Sequence, residues 1–355
     1  TEPFYGPPRY RSIDGISGEI GALYAAGARH FRLGRQPDLL TYGTGHGEFP
    51  VPRPECIGDL FRSVREAAPD LRTLHIDNIN PGTLARHEEA GRLALAEIVR
   101  HHTPGDVAAF GMETADPEVV KRNNLKAGPE EVLRAISIVN EAGGARKDGI
   151  PELLPGLNFI AGLAGETKDT FAMNEQFLAS VLASGLLVRR VNIRQLMPFE
   201  GTRAYTDNAL GRHAPQFRAF KEKVRKNFDL PMIRRVFPVG TVLRDIIIEQ
   251  EGPLSFGRQM GSYPVLAGIP LHLARRTVLD AVVVDHGMRS ITALPVPVNV
   301  NLLPFTALRW IPGINPKTAA KIAGARPFAR PEEFRAVAGT TPIDSLLSFT
   351  SPSVR

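Results

Sequence analysis

Five short apolar segments are found at residues 29–33, 73–77, 107–112, 157–161 and 191–196; four carry polar or charged side chains within them, and the third is followed directly by Glu113. Strand side chains alternate between faces. In Thr73-Leu74-His75-Ile76-Asp77 the pair Leu74 and Ile76 therefore turns one way, and Thr73, His75 and Asp77 turn the other. The same rule puts Arg32, Glu113, Asn158, Asn192 and Arg194 on the inner side, with Phe31, Leu33, Phe159, Val191 and Ile193 toward covering helices. An interior built only for stability is filled by Val, Ile and Leu. Polar groups without partners there cost about 1 to 3 kcal/mol each, and more when charged. A polar ligand or a wet cavity accounts for the set, which makes Arg32, His75, Asp77 and Asn192 candidates for lining a substrate pocket. The competing reading is that these groups pair with one another as a buried ionic network. His75 taken alone reads as a satisfied interior histidine, and His101-His102 as a capping or surface feature. A divalent ion on His75, Asp77 and Glu113 is a further reading, weakened because two of its ligands come from one strand.

Parallel strands present function at their carboxyl ends, and here those ends are rich in glycine and polar residues. After the first segment comes Gly34-Arg35-Gln36-Pro37-Asp38, and after the third Gly111-Met112-Glu113-Thr114. The fourth ends in Gly162-Leu163-Ala164-Gly165-Glu166-Thr167, the fifth in Gln195-Leu196-Met197-Pro198-Phe199-Glu200-Gly201-Thr202. Glycine lets a backbone approach a ligand closely, and a carboxylate such as Glu113 accepts bonds from hydroxyls or an amino group.

The elements that hold these turns follow one rhythm from residue 13 to about 230: strand, turn, helical periodicity. Helices are expected at 18–26, 54–67, 83–100, 129–142, 167–184 and 216–228. This is an α/β chain with βα alternation, hence a parallel sheet or barrel. The first helix has no strand before it, so an opening strand is expected upstream of Thr1. Beyond residue 231 short β-branched runs at 241–249 and 277–284, between Gly and Pro clusters, indicate a small β domain. From 304 three short helices follow, at 305–311, 316–323 and 331–337. The expected domains are thus 1–230, 231–303 and 304–355.

The 355 residues allow two or three domains. No apolar run reaches the roughly eighteen residues of a membrane span, so no membrane partner is expected. No secretory signal opens the chain, and a cytoplasmic place is expected. Of the formal net charge of +6, +4 lies in the last 55 residues, a mild bias toward anionic partners. Cys56 is the single cysteine, so this sequence forms no internal disulfide and holds no metal cluster on several of its own thiolates. Alone at the start of a helix, it reads as a half-buried small side chain.

Up to about Tyr205 the chain resembles the radical S-adenosylmethionine superfamily. Asn158-Phe159-Ile160-Ala161-Gly162-Leu163-Ala164-Gly165-Glu166-Thr167 is similar to that superfamily's F-I-x-G-L-P-G-E-T turn, with Ala164 in place of proline. Gly111-Met112-Glu113-Thr114 resembles its ribose-contacting segment, and Gly34-Arg35-Gln36 the place where the methionyl amino group is held. The stretch from Gln195 to Thr202 is similar to the Q-x-x-P-x-x-G-T end beside the adenine. The opening Thr1-Glu2-Pro3-Phe4-Tyr5-Gly6 resembles the stretch after the cluster loop. The resemblance implies a partial (βα)6 barrel that binds S-adenosylmethionine and a 4Fe-4S cluster and is fed by an electron donor. The implied cofactor-binding residues are Gly34, Arg35, Gln36, Glu113, Asn158, Ile160, Gly162, Arg194 and Gln195. Reductive cleavage of the sulfonium would yield a 5′-deoxyadenosyl radical that abstracts hydrogen from a substrate. The three cysteines of a C-x-x-x-C-x-x-C loop are absent from this sequence, so no residue here is assigned as metal ligand or catalyst, and the ligands are expected upstream of Thr1.

Near the other end, the stretch from Leu308 to Ile322, with Pro312-Gly313-Ile314-Asn315 at its turn, resembles a helix-hairpin-helix. The whole is similar to an uncharacterised archaeal-type group of radical S-adenosylmethionine proteins that end in such a hairpin. Backbone N–H groups at the turn and the next helix's first residues can hold a phosphate without reading bases. Gly313, Asn315, Lys317, Lys321 and Arg326 are the candidates for contact with RNA or DNA, Asn315 replacing a glycine by virtue of its tolerance of left-handed backbone. Two functions compete: a radical enzyme modifying a nucleic acid, and a non-catalytic nucleic-acid-binding protein with a vestigial cofactor pocket.

Overall fold

A computed structural model describes residues 9–45 and 47–349. The chain divides into two compact units, Thr1–Met232 with Gly261–Tyr263, and Ile233–Met260 with Pro264–Arg355. The opening Thr1 to Gly6 and the last residues of the expected third domain lie outside the described residues.

In the first unit, strands β1 (His30–Leu33) and β2 (Thr73–Ile76) pair in parallel. Strands β3 (Asp106–Glu113), β6 (Leu153–Ala161) and β7 (Arg190–Gln195) form a second parallel set in the order β3-β6-β7. A two-residue hairpin, β4 (Arg146–Lys147) with β5 (Ile150–Pro151), precedes β6. The sets are stitched by backbone and side chain. Ala109 N–H donates to the Asp77 carbonyl at 2.9 Å and Ile79 N–H to the Ala109 carbonyl at 3.1 Å. The fully buried Asp106 carboxylate receives Ile76 N–H at 3.0 Å. The five major parallel strands therefore run side by side in chain order, the arrangement βα alternation dictates.

The helices between them start where the sequence signals a start. Proline opens the helices Pro54–Ala67 and Pro129–Gly143, since its missing N–H is not needed in a first turn. Gly143 lets the second pack closely on β6, because a Cβ there would lie 2.5 Å from that of Leu153. The helix expected over 83–100 is two, Pro81–Arg86 and Glu88–His101. His87 breaks it with φ −124° and ψ 55° while its ring Nε2 meets the Phe49 carbonyl at 3.0 Å. The helix expected over 216–228 spans Ala214–Val224 and continues through a π-helical turn, Arg225–Asp229, into Leu230–Val236.

The second unit is built on a closed barrel of order β10-β12-β11-β8-β9. Its strands are β8 (Val242–Gln250), β9 (Ser255–Gln259), β10 (Leu266–Ile269), β11 (Val278–His286) and β12 (Ser290–Pro295). The two runs legible in the sequence are β8 and β11, and the other three are short. Helices Phe305–Leu308, Pro316–Ala325 and Pro331–Ala338 follow, and β13 (Val298–Asn299) pairs with β14 (Leu347–Ser348). Val282 and Leu294 of the barrel share one buried cluster with Ile311, Ile322 and Phe334 of the helices. The border expected at 303/304 thus falls inside a continuous core. No helix among the described residues is long and apolar enough to cross a membrane.

Candidate functional site

The carboxyl ends of β3, β6 and β7 gather the polar residues. Strand register sets Asn158 beside both Gly111 and Asn192, and Ile160 beside Arg194. The Asn158 and Asn192 amides meet at 3.2 Å, and the Arg194 guanidinium comes within 3.1 Å of the Asn192 amide. Asn158 Nδ2 also donates to the Phe110 carbonyl at 3.3 Å. Glu113 closes β3 with φ +59°, a left-handed conformation unusual for a side chain of this size. Its carboxyl folds over Gly111, where a Cβ would lie 2.7 Å from Oε1. Glu113 Oε2 is buried without a hydrogen-bond partner among the described residues. Burial pushes this carboxyl up to about 7, against the opposing pull of Arg194. A buried acceptor left open beside a guanidinium and two amides is a seat for a polar ligand.

Next to it, Gly162 ends β6 with φ +97° and donates its N–H to Glu166 Oε2 at 2.8 Å. Burial raises the Glu166 carboxyl above its ordinary value, while that N–H lowers it. Gly162, Glu166, Gln195, His213 and Phe217 border one small cleft. Glu166 and His213 are site residues that the pattern of strand faces could not reveal, since both lie beyond the strands. The signal available was the glutamate of the Gly-rich turn itself.

Gly34 lies against the second polar group: a Cβ there would sit 3.3 Å from Asp77 Oδ2 and 3.4 Å from Arg32 Nε. Arg32 and Asp77 pair at 3.5 Å. Arg35 is exposed with φ +65°. Gln36 is spent on the loop, its Nε2 donating to the Leu33 carbonyl at 2.9 Å and its own carbonyl accepting from Asn78 Nδ2 at 3.1 Å. Asp38 caps the following turn through Leu40 N–H at 3.1 Å, and burial pushes its carboxyl up to about 6.

Two expected lining residues are otherwise engaged. His75 is buried, and its Nδ1 accepts the Ser262 N–H at 2.8 Å. A neutral ring that accepts at one nitrogen carries its proton on the other, and burial, the largest influence, lowers the His75 pKa. Ser262 Oγ donates to the Ile76 carbonyl at 3.0 Å, and Tyr263 OH to Asp77 Oδ1 at 3.2 Å. Arg190 lies 3.6 Å over the Tyr263 ring. The segment Gly261–Tyr263 therefore fills the space where a substrate was expected against His75 and Asp77. Glu113 belongs to the other group, and among the described residues no three His, Cys, Asp or Glu gather as a metal site. His102 stands at the C-cap of the helix Glu88–His101, as the cap reading expects, but it is not on the surface: its ring is buried with Nδ1 3.0 Å from Asp106 Oδ2. Cys56 is half-buried at the start of its helix, against Gly43.

In the second unit Gly313 takes the left-handed turn with φ +87°. Asn315 does not, at φ −88°; it caps the helix Pro316–Ala325 by accepting Thr318 N–H at 2.9 Å. Lys317 and Lys321 are exposed. Arg326 instead donates Nη1 to the Leu303 carbonyl at 2.7 Å with Nε and Nη2 buried, which turns it into the fold and away from a phosphate.

No family model matches the chain. It is 42% identical to an uncharacterised protein of Archaeoglobus fulgidus over 93% of its length and 62% of that protein's. It is 44% identical to an uncharacterised protein of Methanocaldococcus jannaschii over 82% of its length and 55% of that protein's. The chain thus spans a little over half the length of these relatives. A tRNA-2-methylthio-N(6)-dimethylallyladenosine synthase of Sorangium cellulosum is 29% identical over 56% of the chain and 36% of that enzyme. Among solved structures, coproporphyrinogen III oxidase (HemN) of Escherichia coli, a radical SAM enzyme, aligns with a TM-score of 0.37 and 15% identity, over 60% of this chain and 44% of that one. Elp3 of Methanocaldococcus infernus aligns with a TM-score of 0.36 and 11% identity, over 75% and 72%.

Proposed function

We propose that the first unit is the S-adenosylmethionine-binding part of a radical enzyme that modifies a nucleic acid. The observation that carries this is the orphaned Glu113 carboxyl beside Arg194, Asn158 and Asn192, at the carboxyl ends of β3, β6 and β7. That donor and acceptor set fits the hydroxyls, amino group and carboxylate of a nucleoside-linked amino acid. Glu113 and Asn158 would hold the ribose hydroxyls, and Gln195 with Ile160 and the Gly162 turn would flank the base. When bound, S-adenosylmethionine supplies a sulfonium that one electron can cleave. The likeness to a tRNA-2-methylthio-N(6)-dimethylallyladenosine synthase supports tRNA as the substrate class.

The iron-sulfur cluster is a different matter. Cys56 alone cannot hold it, and no cluster of ligands stands in for the missing thiolates among the described residues. On the enzyme reading its cysteines are not residues of this sequence, and no chemical step is assigned to residues here. The second reading is a nucleic-acid-binding protein whose pocket no longer catalyses. Calorimetric titration of the chain with S-adenosylmethionine tests the pocket: a saturable heat that Glu113→Ala and Asn158→Ala abolish is expected, and a flat titration sinks the reading. Anaerobic assay of the longer protein for 5′-deoxyadenosine separates enzyme from vestige.

A further inference from the structure

Beyond the pocket, one loop of the first unit presents apolar side chains to solvent next to cations. Leu196 N–H donates to the Ala161 carbonyl at 2.8 Å and Ala209 N–H to the Gly162 carbonyl at 2.9 Å, so the chain between them is pinned at both ends to the end of β6. Inside it, Thr202 Oγ1 donates to the Phe199 carbonyl at 2.6 Å and Tyr205 N–H to the Thr202 carbonyl at 3.0 Å, holding a tight turn. On this fastened loop Met197, Phe199 and Tyr205 are 71%, 58% and 54% exposed. The same turn carries Arg203 into a cleft of about 450 Å³ shared with Glu118, Lys121, Arg122, Asn124 and Gly165. Asp207 takes up Arg122 at 3.1 Å, while Arg203 stands 4.0 Å from it.

We propose that Phe199 and Tyr205, with Lys121 and Arg203, form a docking surface for single-stranded RNA. Exposed rings on a fixed turn offer stacking platforms for bases of any sequence, and cations beside them neutralise the phosphates between those bases. Among the residues that line the cleft Lys121, Arg122 and Arg203 face one acid, Glu118, and with Arg122 taken up by Asp207 a positive excess remains, which is complementary to a polyanion. The choice of RNA over DNA rests on the proposed tRNA substrate; the surface itself rests on neither the cluster nor the cofactor.

Fluorescence anisotropy with the full chain and a short unstructured RNA tests it. The expected result is binding that weakens steeply with salt. Phe199→Ala and Tyr205→Ala each weaken it about fivefold or more. Lys121→Ala and Arg203→Ala each lower the slope of log affinity against log salt by about one. All four side chains are exposed, so circular dichroism should report an unchanged fold. The titration with S-adenosylmethionine, repeated on Tyr205→Ala, Lys121→Ala and Arg203→Ala, whose residues lie outside the Gln195 to Thr202 stretch, is expected to be unchanged, which separates failure of this surface from failure of the pocket. No binding at low salt, wild-type binding by all four variants, tighter binding of the matching DNA, or self-association of the chain lost with the aromatic substitutions overturns the proposal.

Discussion

Glu113 concentrates the chemistry of the first unit in one carboxyl. Its ordinary value is 4.5 and burial raises it to about 7. Between those values the folded chain holds a proton that the unfolded chain has released. Stability from the neutral carboxyl is therefore full below 4.5 and is lost as pH rises through about 7. Glu113→Gln keeps the shape and removes the charge. Urea unfolding should find the variant equal to the parent at pH 4.5 and more stable by about 2 kcal/mol at pH 8. An equal difference at both pH values would mean that burial of this charge is not what the fold resists. A ligand that donates a hydrogen bond to Oε2 favours the ionised form, so saturating S-adenosylmethionine should shrink the gap.

At the scale of elements, the Gly162 turn is set by backbone geometry. With φ +97° and a would-be Cβ 3.1 Å from Leu210 Cα, Gly162→Ala should cost about 1 to 2 kcal/mol by thermal unfolding and disturb the tie to Ala209. Gly18, in the helix Ile13–Ala25 with open space around it, makes the opposite case. Gly18→Ala should stabilise by about 0.5 to 1 kcal/mol. Such elements were legible in the sequence because period and capping residues act locally: the helix expected at 54–67 is Pro54–Ala67, and each of the five expected strands overlaps a major parallel strand. The alternation of faces also put Asn158, Asn192 and Arg194 together. His75 is the satisfied interior histidine it reads as when taken alone, but its partner was not legible, because the Ser262 N–H that satisfies it comes from 187 residues away. The place of His102 at a helix end was legible, but not its burial, because its partner Asp106 meets it only across a turn. Nor could the alternation of faces find the short strands β9 and β10, which owe their place to barrel closure, their lengths being too small for a periodic signal.

At the scale of the whole molecule, the first unit is not a continuous stretch of chain. Gly261–Tyr263, which lies between β9 and β10 in sequence, supplies it with the Ser262 N–H to His75, the Ser262 hydroxyl to Ile76, the Tyr263 hydroxyl to Asp77 and the ring beneath Arg190. A buried His75 without its donor, and a cation without its ring, cost about 1 kcal/mol or more apiece. A fragment of residues 9–232 should therefore melt well below the corresponding transition of the full chain, by about 3 kcal/mol in stability. Tyr263→Ala in the full chain should lose only the ring and hydroxyl share, about 1 to 2 kcal/mol. Following both by differential scanning calorimetry decides the matter: if the fragment melts where the full chain does, those three residues are passengers, and the interior around His75 is open to a substrate after all.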